Sequence, residues 1–146
     1  MARHWSDETP VEIRKVSTLN VAPYVPGEFY RRELLPIVNV VSMVTSPVRV
    51  IVVDSYVVLD EHGAPGLGAY LYRHFDGRFA VVGVAKTSYR GSTFAVPCLR
   101  GSSRRPLFVT ELGLSPELAG QCVAKMHGAH RIPTLIGLAH RSARGR

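Results

Sequence analysis

The sequence predicts an α/β domain in which helices cover a mixed sheet. Two runs rich in valine and isoleucine, 48–54 and 80–86, are typical of buried strands. A helical pattern over 28–44 comes before the first of these strands, and another over 67–75 lies between the two. A third helical pattern, at 115–130, follows both strands. This mixing of strands with helices along the chain indicates an α/β architecture.

The first part of the chain leads into this domain. Residues 1–10 are expected to form a flexible leader, and apolar and polar residues alternate over 11–21, which predicts a half-exposed strand. The connector 22–27, APYVPG, places a tyrosine between two prolines. The helix at 28–44 contains Pro36, where a kink or an early stop is expected because proline lacks a backbone N–H.

The later elements are two strands and a helix. Residues 92–100 and 105–111 have the composition of strands on either side of a basic loop. Ser115 is a favourable N-cap, and Pro116 suits the first position of a helix, so the helix at 115–130 has the clearest start in the chain.

Composition limits the class of protein. The chain has 146 residues, 46% hydrophobic and 20% charged, as expected of one globular domain, here residues 11–143 with a basic tail at 144–146. No apolar run is long enough to span a membrane, and no signal peptide is expected. Cys98 and Cys122 lack the spacing of metal ligands, which favours reduced thiols and a cytoplasmic location.

The charge of the chain favours a polyanionic partner. The net charge is +7 and the isoelectric point is near 9.9. Basic residues cluster at 100–105 and 140–146, and Arg31 and Arg32 are adjacent. Such clusters favour nucleic acid as the partner, although a solvated basic surface is the alternative.

Three polar residues have positions that suit chemistry. Asp54 ends the strand 48–54, where it is either a helix cap or turn residue, or part of a metal or catalytic site at the carboxyl end of a strand. Glu33, on the preceding helix, would give Mg²⁺ a second carboxylate if the helix packs nearby. Lys86 ends strand 80–86 and would neutralise a phosphate or a developing oxyanion, unless it is an ordinary surface lysine.

Several segments together resemble a known family. The segments PYVPGEFYRRE, RVIVVD, GVAKTSY, RPLFVT and HRIPTLIGLAHR occur in the order and approximate spacing of endonuclease V, over about residues 11–143. The resemblance implies a ribonuclease H-like mixed sheet flanked by helices. It also implies divalent-metal-dependent cleavage near deaminated purines (inosine) in DNA or RNA, with Mg²⁺ or Mn²⁺. Glu33 and Asp54 would then be catalytic metal ligands, and Lys86 would lie near the scissile phosphate.

The same resemblance implies a surface that binds nucleic acid. The PYVPG segment is similar to the wedge that fills the gap left by an extruded base, with Tyr24 as its tip, although the tyrosine of an ordinary turn would simply pack. Gly83, in the GVAK segment, would allow close approach of the backbone. The predicted nucleic-acid-binding residues are Pro23, Tyr24, Val25, Pro26, Gly27, Gly83, Arg104 and Arg105.

The chain also departs from the family pattern. The family's first strands, which carry another metal-binding aspartate, have no counterpart, so an exposed sheet edge and a homodimer through it are expected. His140 replaces the final acid and becomes a candidate metal ligand, and Ser55, Tyr56 and Val57 replace small residues near the expected base pocket. These changes predict an impaired endonuclease. The alternatives are a catalytically inactive descendant that binds nucleic acid or a protein partner, and a basic α/β protein that shares only the fold.

Overall fold

The fold is a four-stranded sheet with helices on both faces. The computed structural model describes residues 1–18, 22–26, 28, 30–90 and 93–144. In chain order the elements are α1 (Tyr30–Met43), β1 (Val50–Val53), α2 (Leu67–His74), β2 (Ala80–Ala85), β3 (Val96–Cys98), β4 (Leu107–Leu112), α3 (Pro116–Ala124) and α4 (Thr134–Ala143). None of the helices in these residues is long and apolar enough to cross a membrane.

The sheet is mixed, with strands in the order β1-β2-β4-β3. β1 and β2 are parallel, with Val53 opposite Gly83, and β4 is antiparallel to both β2 and β3. The predicted α/β fold with a mixed sheet is therefore confirmed. Because β1 and β2 are parallel, their carboxyl ends lie at one edge of the sheet, which we call the carboxyl edge.

Each face of the sheet has its own hydrophobic core. Val81 and Val82 are neighbours on β2 and point to opposite faces, as the period of a strand requires. The buried core on the α3 and α4 side is formed by Val82, Val84, Cys98, Leu107, Val109, Ala119, Val123, Met126 and Ile136. The core on the α1 and α2 side is formed by Val38, Ile51, Val53, Val57, Ala69, Leu71, Phe75 and Val81.

The strand predicted over 11–21 is wrong for the part that the structure describes. Residues 11–18 form no strand, and 19–21 lie outside the described residues. Backbone groups of this segment bond to the start of the chain and not to a strand. The Val11 N–H donates to the Met1 carbonyl at 2.8 Å, and the Met1 ammonium donates to the Glu12 carbonyl. Trp5 packs against the core of the α3 side, so part of the predicted leader contacts the domain.

Pro36 does not stop α1, which continues to Met43. One face of this helix, with Leu34, Ile37, Val38 and Val41, packs into the core of the α1 side, and this burial outweighs the backbone hydrogen bond that proline cannot make.

β1 and α4 also differ from what the sequence predicts. β1 is less buried than its apolar sequence predicts, because its residues alternate between half-buried and buried and the strand lies at the end of the strand order. Residue patterns predict no helix at α4, because its N-cap position is Pro133 and no side-chain hydrogen bond caps its first turn. The predicted start of α3 is confirmed, since the Leu118 N–H donates to the Ser115 side chain at 3.2 Å.

The outer strand β3 has a proline at its centre. Pro97 lies opposite Phe108 of β4 and is exposed, between the half-buried Val96 and the buried Cys98. Proline carries no N–H, so this position offers no hydrogen-bond donor to a further strand.

Candidate functional site

Three predicted site residues meet at the carboxyl edge. Asp54 directly follows β1 and Lys86 directly follows β2, and the Lys86 Nζ lies 3.1 Å from the Asp54 Oδ2. His140, on α4, places its Nδ1 3.2 Å from the same oxygen. The Asp54 side chain is 32% exposed and the other two are each 36% exposed, so the cluster is open to solvent. Asp54 caps no described helix, since Gly66 is the N-cap of α2.

Arg131 joins the strand ends beneath this cluster. Its Nε donates to the Arg105 carbonyl at 3.1 Å, and its Nη2 donates to the carbonyls of Pro106, at 2.9 Å, and Lys86. Burial lowers the pKa of the Arg131 guanidinium, and the nearby positive charge of Arg105 lowers it further. Sequence reasoning missed Arg131, because its partners lie 25 to 45 residues away and no local pattern marks them.

The predicted carboxylate pair is Asp54 and Glu33, whose joint binding of a metal ion stays a prediction. Glu33 lies half-buried in the first turn of α1, within the residues that the structure describes. In the same part of the chain, no three His, Cys, Asp or Glu side chains form a group that would hold a metal ion. Asp54 is a single carboxylate between two basic side chains. Mg²⁺ prefers an octahedral shell of oxygen ligands, so this donor set does not fit it.

Gly83 is buried beneath the chain that leaves β1. A Cβ at this position would lie 2.3 Å from the Ser55 carbonyl oxygen and 2.8 Å from the Thr110 Oγ1. The Thr110 hydroxyl in turn accepts a hydrogen bond of 2.8 Å from the Val57 N–H. The close backbone approach expected at Gly83 is therefore made by the chain's own backbone.

Tyr56 fills the space next to this crossing. Its ring is buried, and its hydroxyl donates to the Thr87 carbonyl at 2.8 Å and accepts from the Tyr89 N–H at 3.1 Å. Both partners lie just beyond β2, so Tyr56 fixes the segment after Lys86 to the segment after Asp54.

The predicted wedge lies on the surface. Pro23, Val25 and Pro26 are exposed, and Tyr24 is 64% exposed, so its ring is free to stack on another molecule. The Val25 carbonyl accepts a hydrogen bond of 3.0 Å from the Glu28 N–H, which closes a turn. Gly27 lies outside the described residues.

The basic run 100–105 divides into two parts. Arg104 and Arg105 are exposed, as expected of residues that contact a polyanion. Arg100 is only 5% exposed, and its guanidinium donates to carbonyls of the segment after α3, including Gly128 at 3.1 Å and His130 at 3.4 Å. Arg100 thus stabilises the loop between α3 and α4 and does not belong to the basic surface.

Comparisons with known proteins give matches at the level of structure. No protein-family model and no curated protein matches the sequence. The crystal structure of endonuclease V from Streptomyces avermitilis matches 84% of this chain and 61% of its own, with a TM-score of 0.66 and 25% identity. Human ENDOV matches 85% of this chain and 66% of its own, also with a TM-score of 0.66 and 25% identity. The chain has an endonuclease V-like fold.

A third structure agrees on the fold. Endonuclease V from Bacillus subtilis matches 85% of this chain and 61% of its own, with a TM-score of 0.69 and 20% identity. The endonuclease V-like chain therefore spans between three fifths and two thirds of the length of these proteins.

Proposed function

We propose that this chain is an endonuclease V-like protein that binds DNA or RNA, and that its divalent-metal-dependent cleavage of inosine-containing strands is impaired. One observation carries the proposal: Asp54, which follows β1, is paired with Lys86 at 3.1 Å and with His140 at 3.2 Å. The carboxylate at the centre of the site is thus already paired with the Lys86 ammonium, and the His140 imidazole contacts the same oxygen.

Impairment follows from the chemistry of metal-dependent cleavage. Cutting a phosphodiester with two metal ions requires enough carboxylates to hold and neutralise both cations. Here a cation would have to displace two basic side chains from Asp54, and no three His, Cys, Asp or Glu side chains in the described residues form a group that would hold it. A Mg²⁺ or Mn²⁺ ion would therefore be held weakly.

Binding to nucleic acid is supported by the surface and the net charge. Arg104 and Arg105 are exposed next to the carboxyl edge, and the net charge of the chain is +7. The exposed ring of Tyr24 offers a flat apolar face on which a base would stack. Phosphate contacts would supply affinity, and stacking of Tyr24 would favour a gap in the base stack.

A second candidate is a catalytically inactive descendant that only binds nucleic acid. The absence of a three-residue metal group in the described part of the chain favours it. The retention of Asp54 and Lys86 at two adjacent strand ends favours residual cleavage.

We also propose that two copies of the chain associate through β1. Within the described residues β1 has a strand neighbour on one side only, and Val50–Val53 carry no charge that would oppose pairing.

Cleavage of an end-labelled oligonucleotide with one inosine tests the activity. With Mg²⁺ or Mn²⁺, we expect slow nicking near the inosine, far below the rate of a complete two-metal site, and its loss in Asp54→Asn. A matched strand with guanosine in place of inosine, and Glu8→Gln as a variant with the same change of charge at an exposed position, are the controls.

Each outcome separates the candidates. Nicking that disappears only in Asp54→Asn would support an impaired endonuclease. Binding of the strand without any nicking would support the inactive descendant, and rapid nicking that persists in Asp54→Asn would contradict the proposed role of Asp54.

A further inference from the structure

We infer that the carboxyl edge binds a phosphate of the nucleic-acid backbone directly, without a bridging metal ion. The inference rests on the proposed function, because it names the ligand group that this site would take. The inference rests on Lys86 and His140, which both contact the Asp54 carboxylate, and on Arg131, which donates to the backbone carbonyls of Lys86 and the exposed Arg105.

The charges at this edge favour an anion. Lys86 and His140 pair with Asp54, and Arg131 lies directly beneath, bonded to the Lys86 and Arg105 carbonyls. The Arg131 hydrogen bonds that the structure describes go to neutral carbonyl oxygens, so no carboxylate offsets its charge there. In the contacts that the structure describes, Asp54 is the one carboxylate paired with Lys86 and none is paired with Arg131, so these two cations would attract a phosphate and oppose a divalent cation at this edge.

Two nitrogen atoms of this cluster already contact one anionic oxygen. The Lys86 Nζ and the His140 Nδ1 converge on one oxygen, the Asp54 Oδ2, at 3.1 and 3.2 Å. The Lys86 ammonium has three N–H donors. In the described residues its one hydrogen-bond partner is Asp54, so donors are left for a phosphate oxygen. The Lys86 side chain is 36% exposed and Arg105 is exposed, so a backbone phosphate can reach both.

Asp54 would compete with the ligand in this arrangement. Its carboxylate occupies Lys86 and His140, and it would also repel a phosphate placed beside them. Neutralising Asp54 should therefore strengthen phosphate binding. When Mg²⁺ is present, a metal site predicts the opposite sign, because loss of the central carboxylate would remove the ion and the phosphate contact made through it.

Fluorescence anisotropy with a short labelled oligonucleotide, over a range of KCl concentrations in EDTA, tests the inference. We expect Asp54→Asn to tighten binding about 3- to 10-fold and Lys86→Gln to weaken it by a similar factor, reducing the salt slope by about one. Glu8→Gln and Lys125→Gln make the same changes of charge at exposed positions outside the cluster, and we expect much smaller effects from them. Replacing EDTA with Mg²⁺ at equal ionic strength should neither strengthen binding of the unaltered protein nor reverse the tighter binding of Asp54→Asn.

The outcomes distinguish this inference from the proposed function. If the unaltered protein fails to bind the oligonucleotide, the proposed function fails. If it binds, but Asp54→Asn and Lys86→Gln match their control variants, only the inference on the carboxyl edge is overturned. Binding that Mg²⁺ strengthens and Asp54→Asn weakens would also overturn it, in favour of a metal site.

Discussion

At the scale of single residues, the neighbours of Asp54 determine its chemistry. The same carboxylate beside Glu33 would be the start of a Mg²⁺ site, whereas between Lys86 and His140 it orders two basic side chains. A carboxylate at the end of an apolar strand is visible in the sequence. Residue patterns do not show that Lys86 and His140 contact it, because they lie 32 and 86 residues further along the chain and come from different elements. Both enter the predicted site through the resemblance to endonuclease V, without a predicted contact.

Tyr24 supports a prediction at this scale. Tyr24→Ala should weaken binding to an inosine-containing duplex about 10-fold and binding to the undamaged duplex much less, because stacking on a base contributes about 1–3 kcal/mol. Tyr24→Phe keeps the ring and should bind both duplexes as the unaltered protein does. Anisotropy titrations with the two duplexes measure the difference. Equal losses on both would mean that the tyrosine does not stack at the lesion.

At the scale of elements, the crossing of the chain over β2 positions the site. After β1 the backbone passes directly above Gly83, and the Val57 N–H is held there by the Thr110 hydroxyl. This crossing, together with the bonds of Tyr56 to Thr87 and Tyr89, fixes the distance between the ends of β1 and β2. The contact between Asp54 and Lys86 thus depends on a glycine that touches neither of them.

Gly83→Ala tests the role of this crossing, and Gly137→Ala is the control. Their effects on the free energy of unfolding are expected to have opposite signs. Gly83→Ala should destabilise the fold by about 2–3 kcal/mol, because its Cβ would lie 2.3 Å from the Ser55 carbonyl oxygen. Gly137→Ala, in α4, should stabilise it by about 0.5–1 kcal/mol, since its nearest contact is the flexible Arg141 side chain at 3.3 Å. Urea unfolding measures both changes, and a neutral effect of Gly83→Ala would contradict the tight crossing.

Sequence patterns predicted most of these elements and fewer of the contacts between them. α2, β2 and the start of α3 were predicted close to their observed positions, because turns and caps mark their limits. α4 lacked such a mark. Asp54, Lys86 and His140 are predicted as residues of one site through the resemblance to endonuclease V, but their direct contacts are not. Arg131 is missed, because only the folded chain shows its distant carbonyl partners.

At the scale of the whole molecule, one sheet separates two hydrophobic cores, and its two outer strands, β1 and β3, differ in composition. β2 and β4 lie at its centre and are buried by helices on both sides. In the described residues β1 and β3 each have one strand neighbour. The outer edge of β1 is formed by four consecutive apolar residues, whereas that of β3 contains Pro97.

The open edge of β1 leads to a prediction about assembly. Sedimentation equilibrium should show a species with twice the 16.0 kDa mass of one chain as concentration rises. Amide hydrogen exchange at Val50–Val53 should slow in parallel, because pairing of the two edges protects N–H groups. Exchange at the α3 helix serves as the internal control. A single-chain mass at every concentration, or a dimer with unchanged exchange at β1, would contradict association through this strand.

Pro97 has a consequence for how far such association could proceed. A chain with two adhesive edges would add copies at both ends and grow into a fibril, as unprotected sheets do. With no donor at the centre of β3, β1 is the outer strand left open in the described part of the sheet, and a pair joined there by a two-fold axis closes that edge. Pro97, on the outer strand opposite β1, would then limit association to a closed dimer and prevent growth into insoluble fibrils.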